Sequence, residues 1–301
     1  MQATLIYNGS AGSTGEHDAR FYLDELEKAG YSPVYEITET EQDVLAVLEH
    51  AKGLLVVVGG DGSLRAVATR IVGRDLPIAL IPAGTANNVG RALGLEQTSI
   101  AGLASPRKIK IDLGVLRTPW GDSYFLEGAG FGLYAEALSR YRPQDGKSFL
   151  RGMKTLVEVL AESPAPPCCL RWDGHEEEGE FLLLEAMNTP AVGPRMPLAP
   201  QADPSDGHFD LIRVDDRSRD SYLTYLSSLI ADELPNLDSV RIDKVQSLEF
   251  LWTGFPIHLD AEFLQAEQYR ERNGIWLQLA VMPSALEFWL PGDSSVAAAA
   301  S

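Results

Sequence analysis

The chain has 301 residues, of which 45% are hydrophobic and 23% are charged, a composition typical of a globular protein with room for two domains. Its formal net charge of −18 disfavours general nucleic-acid binding, because such a chain repels phosphates. No apolar run reaches the roughly 18 residues of a membrane-spanning helix, the first residues lack the pattern of a signal peptide, and the two cysteines, Cys168 and Cys169, are adjacent and suit a reducing compartment. We therefore expect a cytoplasmic protein without a transmembrane segment.

Strand-like and helical segments alternate over the first 110 residues. Strands are predicted at residues 4–7, 34–37, 54–58 and 78–81, and helices at residues 19–29, 42–50, 64–72 and 89–93. The uninterrupted apolar run at 54–58 is typical of a strand that is buried on both faces of a parallel sheet. This alternation predicts a Rossmann-like, mostly parallel α/β domain.

Strand-like segments dominate beyond about residue 108, where turn residues separate many of them. They are predicted at residues 109–111, 122–126, 168–172, 181–185, 209–214, 247–252, 257–259, 275–281 and 285–290. Helices are predicted within this region at 131–141 and 218–230. The pattern predicts a β-sandwich domain at residues 111–283 that follows an α/β domain at residues 1–110, with a disordered tail at 294–301.

A glycine-rich loop follows the buried strand at 54–58 and precedes a helix. Its residues are Gly59, Gly60, Asp61, Gly62 and Ser63. Glycines at such a place let backbone N–H groups approach phosphate oxygens closely, and the helix N-terminus adds a favourable dipole. The serine can donate a hydroxyl hydrogen bond, whereas the aspartate would orient the loop or act through magnesium. The alternative is an ordinary strand-to-helix turn.

A second polar loop, at residues 82–88, follows the next predicted strand and also precedes a helix. Gly84, Thr85 and Asn87 offer a close backbone approach and neutral groups that suit phosphate or ribose oxygens. Since the two loops are one strand–helix unit apart, they can converge on one ligand. The alternative role for Thr85, Asn87 or Asn88 is helix N-capping, which is compatible with ligand binding.

The two loops together resemble the superfamily of diacylglycerol, sphingosine and ceramide kinases. In this chain Gly-Gly-Asp-Gly-Ser is followed by Pro-x-Gly-Thr-x-Asn, and the bacterial diacylglycerol kinases are the nearest resemblance. The resemblance implies an NAD-kinase-like fold, use of ATP and Mg²⁺, and a C-terminal strand, at about 284–293, that returns to the first domain. It also implies a nucleotide contact at Asn8, although the loop around Asn8 lacks the family's proline.

The resemblance extends to the candidate catalytic residues. Leu259-Asp260-Ala261-Glu262 is similar to the family's Asp-Gly-Glu motif, with Ala261 in place of glycine. It implies that Asp260 is the general base for a lipid hydroxyl, while Glu262 binds magnesium or orients Asp260. Without the resemblance, both acids would be interpreted as a solvated turn, and His258 as incidental. Glu127 lies in a glycine-rich segment, 125–132, that also resembles the family and is a further cleft candidate.

A third acidic segment resembles the part of the bacterial enzymes that is associated with a structural magnesium ion. Asp203, Asp206 and Asp210 supply the oxygen ligands that a hard cation prefers. The alternative is a common Asp-Gly turn that leads into a strand.

The function that we expect is ATP-dependent phosphorylation of a lipid alcohol, with diacylglycerol as the leading acceptor. A sphingoid or ceramide-type lipid, a soluble acceptor as in NAD kinase, and a weakly active nucleotide-binding regulator remain as alternatives. The substrate implies peripheral contact with a membrane, for which one basic cluster is a candidate. Its residues are Arg140, Arg142, Lys147, Arg151 and Lys154. A solvated face is the alternative for this cluster, and the sequence indicates no oligomeric state.

Overall fold

The computed structural model describes residues 1–7, 17–36, 38, 40–95, 100–140, 155, 158–159, 165–215, 228, 240–264 and 274–292. The chain forms two compact units, one of Met1–Asp112 with Ser284–Ser301 and one of Leu113–Pro283. The predicted tail at 294–301 and all but one residue of the predicted helix at 218–230 lie outside the described residues.

The first unit is an α/β layer structure around a parallel sheet. Its strands are β1 (Gln2–Tyr7), β2 (Ser32–Tyr35), β3 (Leu54–Gly59), β4 (Ile78–Pro82) and the end of β15 (Ile275–Leu290). Its helices are α1 (Ala19–Lys28), α2 (Glu41–His50), α3 (Asp61–Ala68), α4 (Asn88–Ala92) and a 3-10 helix (Ile100–Ala104). The sheet order is β15-β4-β3-β1-β2, and each of these pairs is parallel.

Local sequence accounts for these elements. Every residue of β3 is buried, as its uninterrupted apolar run predicts for a central parallel strand. Helix α1 begins after Asp18, whose side chain accepts the N–H of Phe21. Helix α2 begins with a capping box between Thr40 and Asp43. Caps of this kind fix where each helix starts and so where the preceding loop ends.

Two strands carry the chain between the units. Strand β5 (Arg107–Thr118) leads out of the first unit, and β15 leads back. Phe288 of β15 pairs with Ile78 of β4, which confirms the expected return of the C-terminal strand to the first sheet. The expectation of separate strands at 275–281 and 285–290 was wrong, because β15 runs without a break through Pro283.

The second unit is an antiparallel β sandwich. After β5 its strands are β6 (Gly121–Phe125), β7 (Gly128–Gly132), β8 (Pro167–Trp172), β9 (His175–Met187), β10 (Phe209–Asp215), β11 (Val240–Val245), β12 (Ser247–Trp252), β13 (Ile257–Leu259), β14 (Glu262–Phe263) and the start of β15. One described helix, α5 (Leu133–Arg140), follows β7. The predicted helix at 131–141 therefore begins later than expected, since Phe131 belongs to a strand.

Strand β9 belongs to both layers of the sandwich. Its first half pairs with β8, and its second half pairs with β7 and β10. Side chains from both layers, including Leu170, Phe131 and Phe209, form one buried core. The α/β unit followed by a β sandwich confirms the predicted fold class.

Candidate functional site

The glycine-rich loop forms the transition from β3 to α3 in the first unit. Helix α3 begins at Asp61, with Gly60 as its N-cap residue, so Gly62 and Ser63 lie in the first helical turn. The first N–H groups of a helix have no partner within the helix, and they carry its positive dipole end. A side-chain methyl at Gly62 would have no heavy atom within 4 Å. This loop therefore presents backbone donors beside open space, which suits an anion.

The two loops predicted to converge are in direct contact. A Cβ atom on Gly84 would lie 2.4 Å from the Cα of Gly60, and one on Gly60 would lie 2.9 Å from the Cα of Gly84. The N–H of Ala83 also donates to the carbonyl oxygen of Gly59 at 2.9 Å. Both glycines are thus required by the close approach of two backbones rather than by left-handed geometry, since neither has a positive φ.

Asp61 fastens the first loop to the second. Its carboxylate accepts hydrogen bonds from the backbone N–H groups of Asn87, Asn88 and Val89, the last at 3.3 Å. Burial raises the pKa of Asp61, and these N–H donors oppose that rise. The side chain therefore orients the loops, which is the first of the two roles that the sequence suggested for it.

Asn87 holds the second loop in shape. Its side-chain amide accepts the N–H of Gly84 at 2.9 Å and donates to the carbonyl oxygen of Gly84 at 2.8 Å. Its backbone is left-handed, with φ of 54°, a conformation that asparagine tolerates better than most residues. In this geometry Asn87 shapes the loop, and its predicted contact with a nucleotide remains a prediction. Asn8 lies outside the described residues.

Asp260 is a buried acid that accepts hydrogen bonds from three consecutive backbone N–H groups. It is 3% exposed. Its Oδ1 atom accepts N–H groups of Leu126, Glu127 and Gly128 at 3.1, 2.7 and 3.3 Å, and Oδ2 accepts that of Leu126 at 3.0 Å. Its own N–H donates to the carbonyl oxygen of Gly128 at 2.8 Å. Amide donors stabilise an ionised carboxylate, so this arrangement keeps a negative charge at a fixed place.

Asp260 and Ala261 form the two-residue turn between β13 and β14. Leu259 pairs with Glu262 across this hairpin. The residue with positive φ is Asp260, at 56°, and not Ala261. The backbone therefore does not require glycine at the position where the family motif has one. Glu262 is exposed on the short strand β14, so the two acids predicted to act together differ sharply in burial.

A buried histidine, His258, and a buried glutamate, Glu185, lie behind this turn. The Nε2 atom of His258 is 2.6 Å from Oε2 of Glu185, and both side chains are completely buried. The Nδ1 atom of His258 is 3.0 Å from the backbone oxygen of Asp260. The sequence suggested that His258 is incidental to catalysis, and the structure places it fully buried with its ring bound to the backbone of Asp260.

Three buried acids act electrostatically on Tyr134 of α5. Burial raises the pKa of Tyr134 far above its ordinary value, and the charges of Glu127, Glu185 and Asp260 raise it further. Glu127 is 3% exposed and accepts the N–H of Gly193 at 3.1 Å. The Tyr134 ring meets His258 edge to face, with ring centroids 4.5 Å apart. The second unit therefore places several ionisable side chains in its buried interior, Asp260 among them.

The predicted magnesium site is not arranged as one. Among the residues that the structure describes, no three acidic, histidine or cysteine side chains are placed to hold a metal ion. Lys244 binds Oδ2 of Asp206 and lies 3.2 Å from Oδ2 of Asp210, while Asp203 accepts the N–H of Ser205 at 2.9 Å. Asp210 and Lys244 are direct cross-strand partners on β10 and β11. A lysine ammonium thus lies where the metal was expected.

The electrostatics of this group agree with an ion pair. Desolvation opposes the charge of Lys244, but the hydrogen bonds and charges of Asp206 and Asp210 outweigh it and raise the pKa of Lys244. Burial raises the pKa of Asp210, and Lys244 opposes that rise. We therefore derive no role for a metal ion at these aspartates.

The predicted basic cluster falls largely outside the described residues, since Arg142, Lys147, Arg151 and Lys154 are not among them. Arg140 is described, and it binds Glu136 one turn earlier on α5. Within the described part of the chain, no helix combines the length and the apolar character that crossing a bilayer demands.

Both parts of the chain match models of known protein families. Residues 2–115 match the model described as diacylglycerol kinase catalytic domain. Residues 144–288 match the model described as YegS C-terminal NAD kinase beta sandwich-like domain. The first match contains both loops of the first unit, and the second contains Glu185, His258 and Asp260.

Relatives and solved structures agree with these matches. A protein named diacylglycerol kinase from Staphylococcus aureus (strain MRSA252) is 27% identical over 277 residues, covering 87% of this chain and 86% of that protein. Another of that name from Bacillus subtilis (strain 168) is 29% identical over 233 residues, covering 70% and 73%. A diacylglycerol kinase structure from Bacillus anthracis (strain Sterne) has a TM-score of 0.66 at 17% identity and covers 98% of both chains. A further structure from that strain has a TM-score of 0.71, also at 17% identity, and covers 98% of this chain and 96% of the other.

Proposed function

Since the chain belongs to the diacylglycerol kinase family and is a lipid kinase, we propose that it transfers the γ-phosphate of ATP to the hydroxyl of diacylglycerol. The products are ADP and phosphatidic acid. Mg²⁺ would enter with the nucleotide, where it neutralises the β- and γ-phosphate oxygens. Activity at a bilayer surface follows from the substrate, whose acyl chains keep it in the membrane.

The observation that carries this proposal is the fastening of the two loops in the first unit. The contact of Gly60 with Gly84 and the hydrogen bonds of Asp61 hold the loops together beside the N-terminus of α3. The backbone donors of that terminus suit the phosphates of a nucleotide. A site fixed in this way grips phosphate without rearrangement, which favours accurate positioning of the transferred group.

Asp260 supplies the second requirement, a carboxylate for the acceptor hydroxyl. As the hydroxyl oxygen bonds to the γ-phosphorus, the bond from phosphorus to the β,γ-bridging oxygen breaks, and the hydroxyl proton passes to Asp260. Its amide donors hold this carboxylate in a fixed orientation. In a loose phosphoryl-transfer transition state the proton leaves late, so orientation matters more than base strength.

The test is a turnover assay with ATP against diacylglycerol, sphingosine, ceramide and NAD, with the phosphorylated product identified by mass. We expect product from diacylglycerol at the highest kcat/KM. Preferential phosphorylation of sphingosine or ceramide would mean that the acceptor is a sphingoid or ceramide-type lipid and not diacylglycerol. Phosphorylation of NAD alone would replace the proposal with a soluble acceptor, and nucleotide binding without any product would indicate a regulatory protein.

A further inference from the structure

We propose that His258, held from behind by Glu185, is a positioning residue that fixes the backbone of Asp260 for catalysis. This inference rests on the proposed function, in which Asp260 orients the acceptor hydroxyl. Its basis is a row of contacts that runs from β9 across β7 to the turn after β13.

The row depends on a glycine. His258 pairs in register with Gly130, and Gly130 pairs in register with Glu185, so the two side chains belong to strands that are not neighbours. A Cβ atom on Gly130 would lie 2.5 Å from Oε2 of Glu185 and 2.0 Å from the backbone oxygen of Leu184. The missing side chain therefore leaves the space in which His258 and Glu185 meet.

The hydrogen-bond pattern determines what the imidazole does. The backbone oxygen of Asp260 can only accept a hydrogen bond, so Nδ1 of His258 carries a proton and donates it. Nε2 then shares a proton with Glu185, either as an imidazolium–carboxylate pair or as a neutral pair. Both forms have no net charge, which suits a pair with no exposed surface. The partner on Nε2 fixes the orientation of the ring.

Asp260 needs such support. Its positive φ is uncommon for a residue with a side chain and persists where surrounding contacts enforce it. The N–H of Asp260 is bound to Gly128 and its carboxylate to the amides of residues 126–128. His258 binds the remaining polar group, the carbonyl oxygen. Loss of that donor removes the hydrogen bond between His258 and the carbonyl oxygen of Asp260, and we expect the turn and the carboxylate to shift.

The test compares two substitutions of His258, each of which keeps a nitrogen at only one of the two ring-nitrogen positions. The side-chain nitrogen of asparagine corresponds in position to Nδ1, and that of glutamine to Nε2. His258→Asn therefore keeps a donor for Asp260, whereas His258→Gln keeps a partner for Glu185 but loses that donor. We expect kcat to fall roughly 10- to 100-fold in His258→Gln, as for a small misplacement of a catalytic group. The loss in His258→Asn should be several-fold smaller, and KM for ATP should change in neither variant.

Two controls separate positioning from general destabilisation and from failure of the proposed function. Leu170→Ala opens a cavity on β8, which pairs with neither β7 nor β13, and should lower the thermal midpoint without lowering kcat. Hydrogen exchange of the amides at 126–128 reports the position of the Asp260 carboxylate without any assay of activity. We expect faster exchange there in His258→Gln than in His258→Asn.

Equal kcat and equal exchange in the two histidine variants would overturn the positioning role. If the wild-type protein phosphorylates no acceptor, the proposed function fails, and the exchange comparison still decides whether His258 holds Asp260. A loss of kcat in Leu170→Ala as large as that in His258→Gln would also overturn the inference, because stability alone would then explain the effect.

Discussion

His258 and Glu185 lie on strands separated by β7, and yet their side chains approach to 2.6 Å over Gly130. At most positions, a side chain on the intervening strand would keep two such residues apart. The glycine-rich segment at 128–132 thus has a structural purpose of its own, in addition to its resemblance to a family motif. It places an ionisable pair inside the second unit, next to the proposed catalytic acid.

Gly62→Asp should weaken nucleotide binding without weakening the fold. An acidic residue in the first turn of α3 favours the helix dipole, and the position opens into space. The same charge repels phosphate oxygens, so we expect the Kd for ATP to rise at least about 10-fold. Gly62→Asn is the neutral control of equal size and should have a smaller effect. Calorimetric titration with ATP measures both, and equal Kd values for the two variants would place the phosphates elsewhere.

Gly84→Ala should destabilise the first unit. The added methyl would lie 2.4 Å from the Cα of Gly60 and 2.8 Å from Oδ1 of Asn87, so the two loops must separate. Overpacking of this kind costs about 1–3 kcal/mol in the free energy of unfolding. Gly62→Ala is the matched control, since its methyl meets nothing within 4 Å. Urea unfolding that finds the two alanine variants equally stable would contradict the close contact of the loops.

Asp260→Asn should lower kcat at least about 100-fold, the scale for loss of a general base, and leave ATP affinity within about 2-fold. An asparagine cannot take the hydroxyl proton, and its NH₂ group cannot accept the N–H bonds that both carboxylate oxygens now receive. Glu262→Gln, on the exposed strand β14, should lose less than about 10-fold. Steady-state kinetics with a water-soluble short-chain diacylglycerol gives both values. A larger loss of kcat in Glu262→Gln than in Asp260→Asn would assign the role of general base to Glu262 instead.

Removal of divalent cations should leave the stability of the nucleotide-free protein unchanged, because Lys244 already supplies the positive charge at Asp206 and Asp210. We expect the thermal midpoint to differ by less than about 1 °C between Mg²⁺ and EDTA. Lys244→Met should lower the free energy of unfolding by at most about 1 kcal/mol, since the lysine side chain is 44% exposed. The thermal midpoint of this variant should rise in Mg²⁺.

Lys28→Met is the control for this experiment, because Lys28 forms an exposed ion pair with Glu25 outside the predicted metal site, and the variant should gain no response to Mg²⁺. A thermal midpoint of the wild-type protein that is several degrees higher in Mg²⁺ than in EDTA would indicate that the aspartates bind a metal ion.

The fold was predictable from local signals. The uninterrupted run of β3 and the loops that follow β3 and β4 are each contained in a few consecutive residues, and they indicate a parallel sheet with a ligand site at its carboxyl edge. Asp260 was predictable only through the family motif, because an acid in a short turn looks like any solvated turn.

Features that depend on pairing between distant strands were not predictable. Lys244 reaches Asp206 and Asp210 because β11 pairs with β10 in one register, and β11 was absent from the predicted strands. His258 and Glu185 each lie within apolar strands. Their contact depends on two registers, that of β13 with β7 and that of β7 with β9. Ala261 seemed a departure from the motif, but the left-handed residue is its neighbour, Asp260.

Strand β15 has a consequence for biosynthesis. The part of β15 that joins the first sheet beside β4 is synthesised only after the whole of Leu113–Pro283. A nascent chain that ends at Pro283 therefore already contains every residue of the second unit, while β4 has β3 on one side and no partner on the other. An unpaired strand edge invites pairing with other chains. Truncation before residue 284 should thus yield a product that aggregates through its first unit, although all residues of both loops and of the Asp260 site are present.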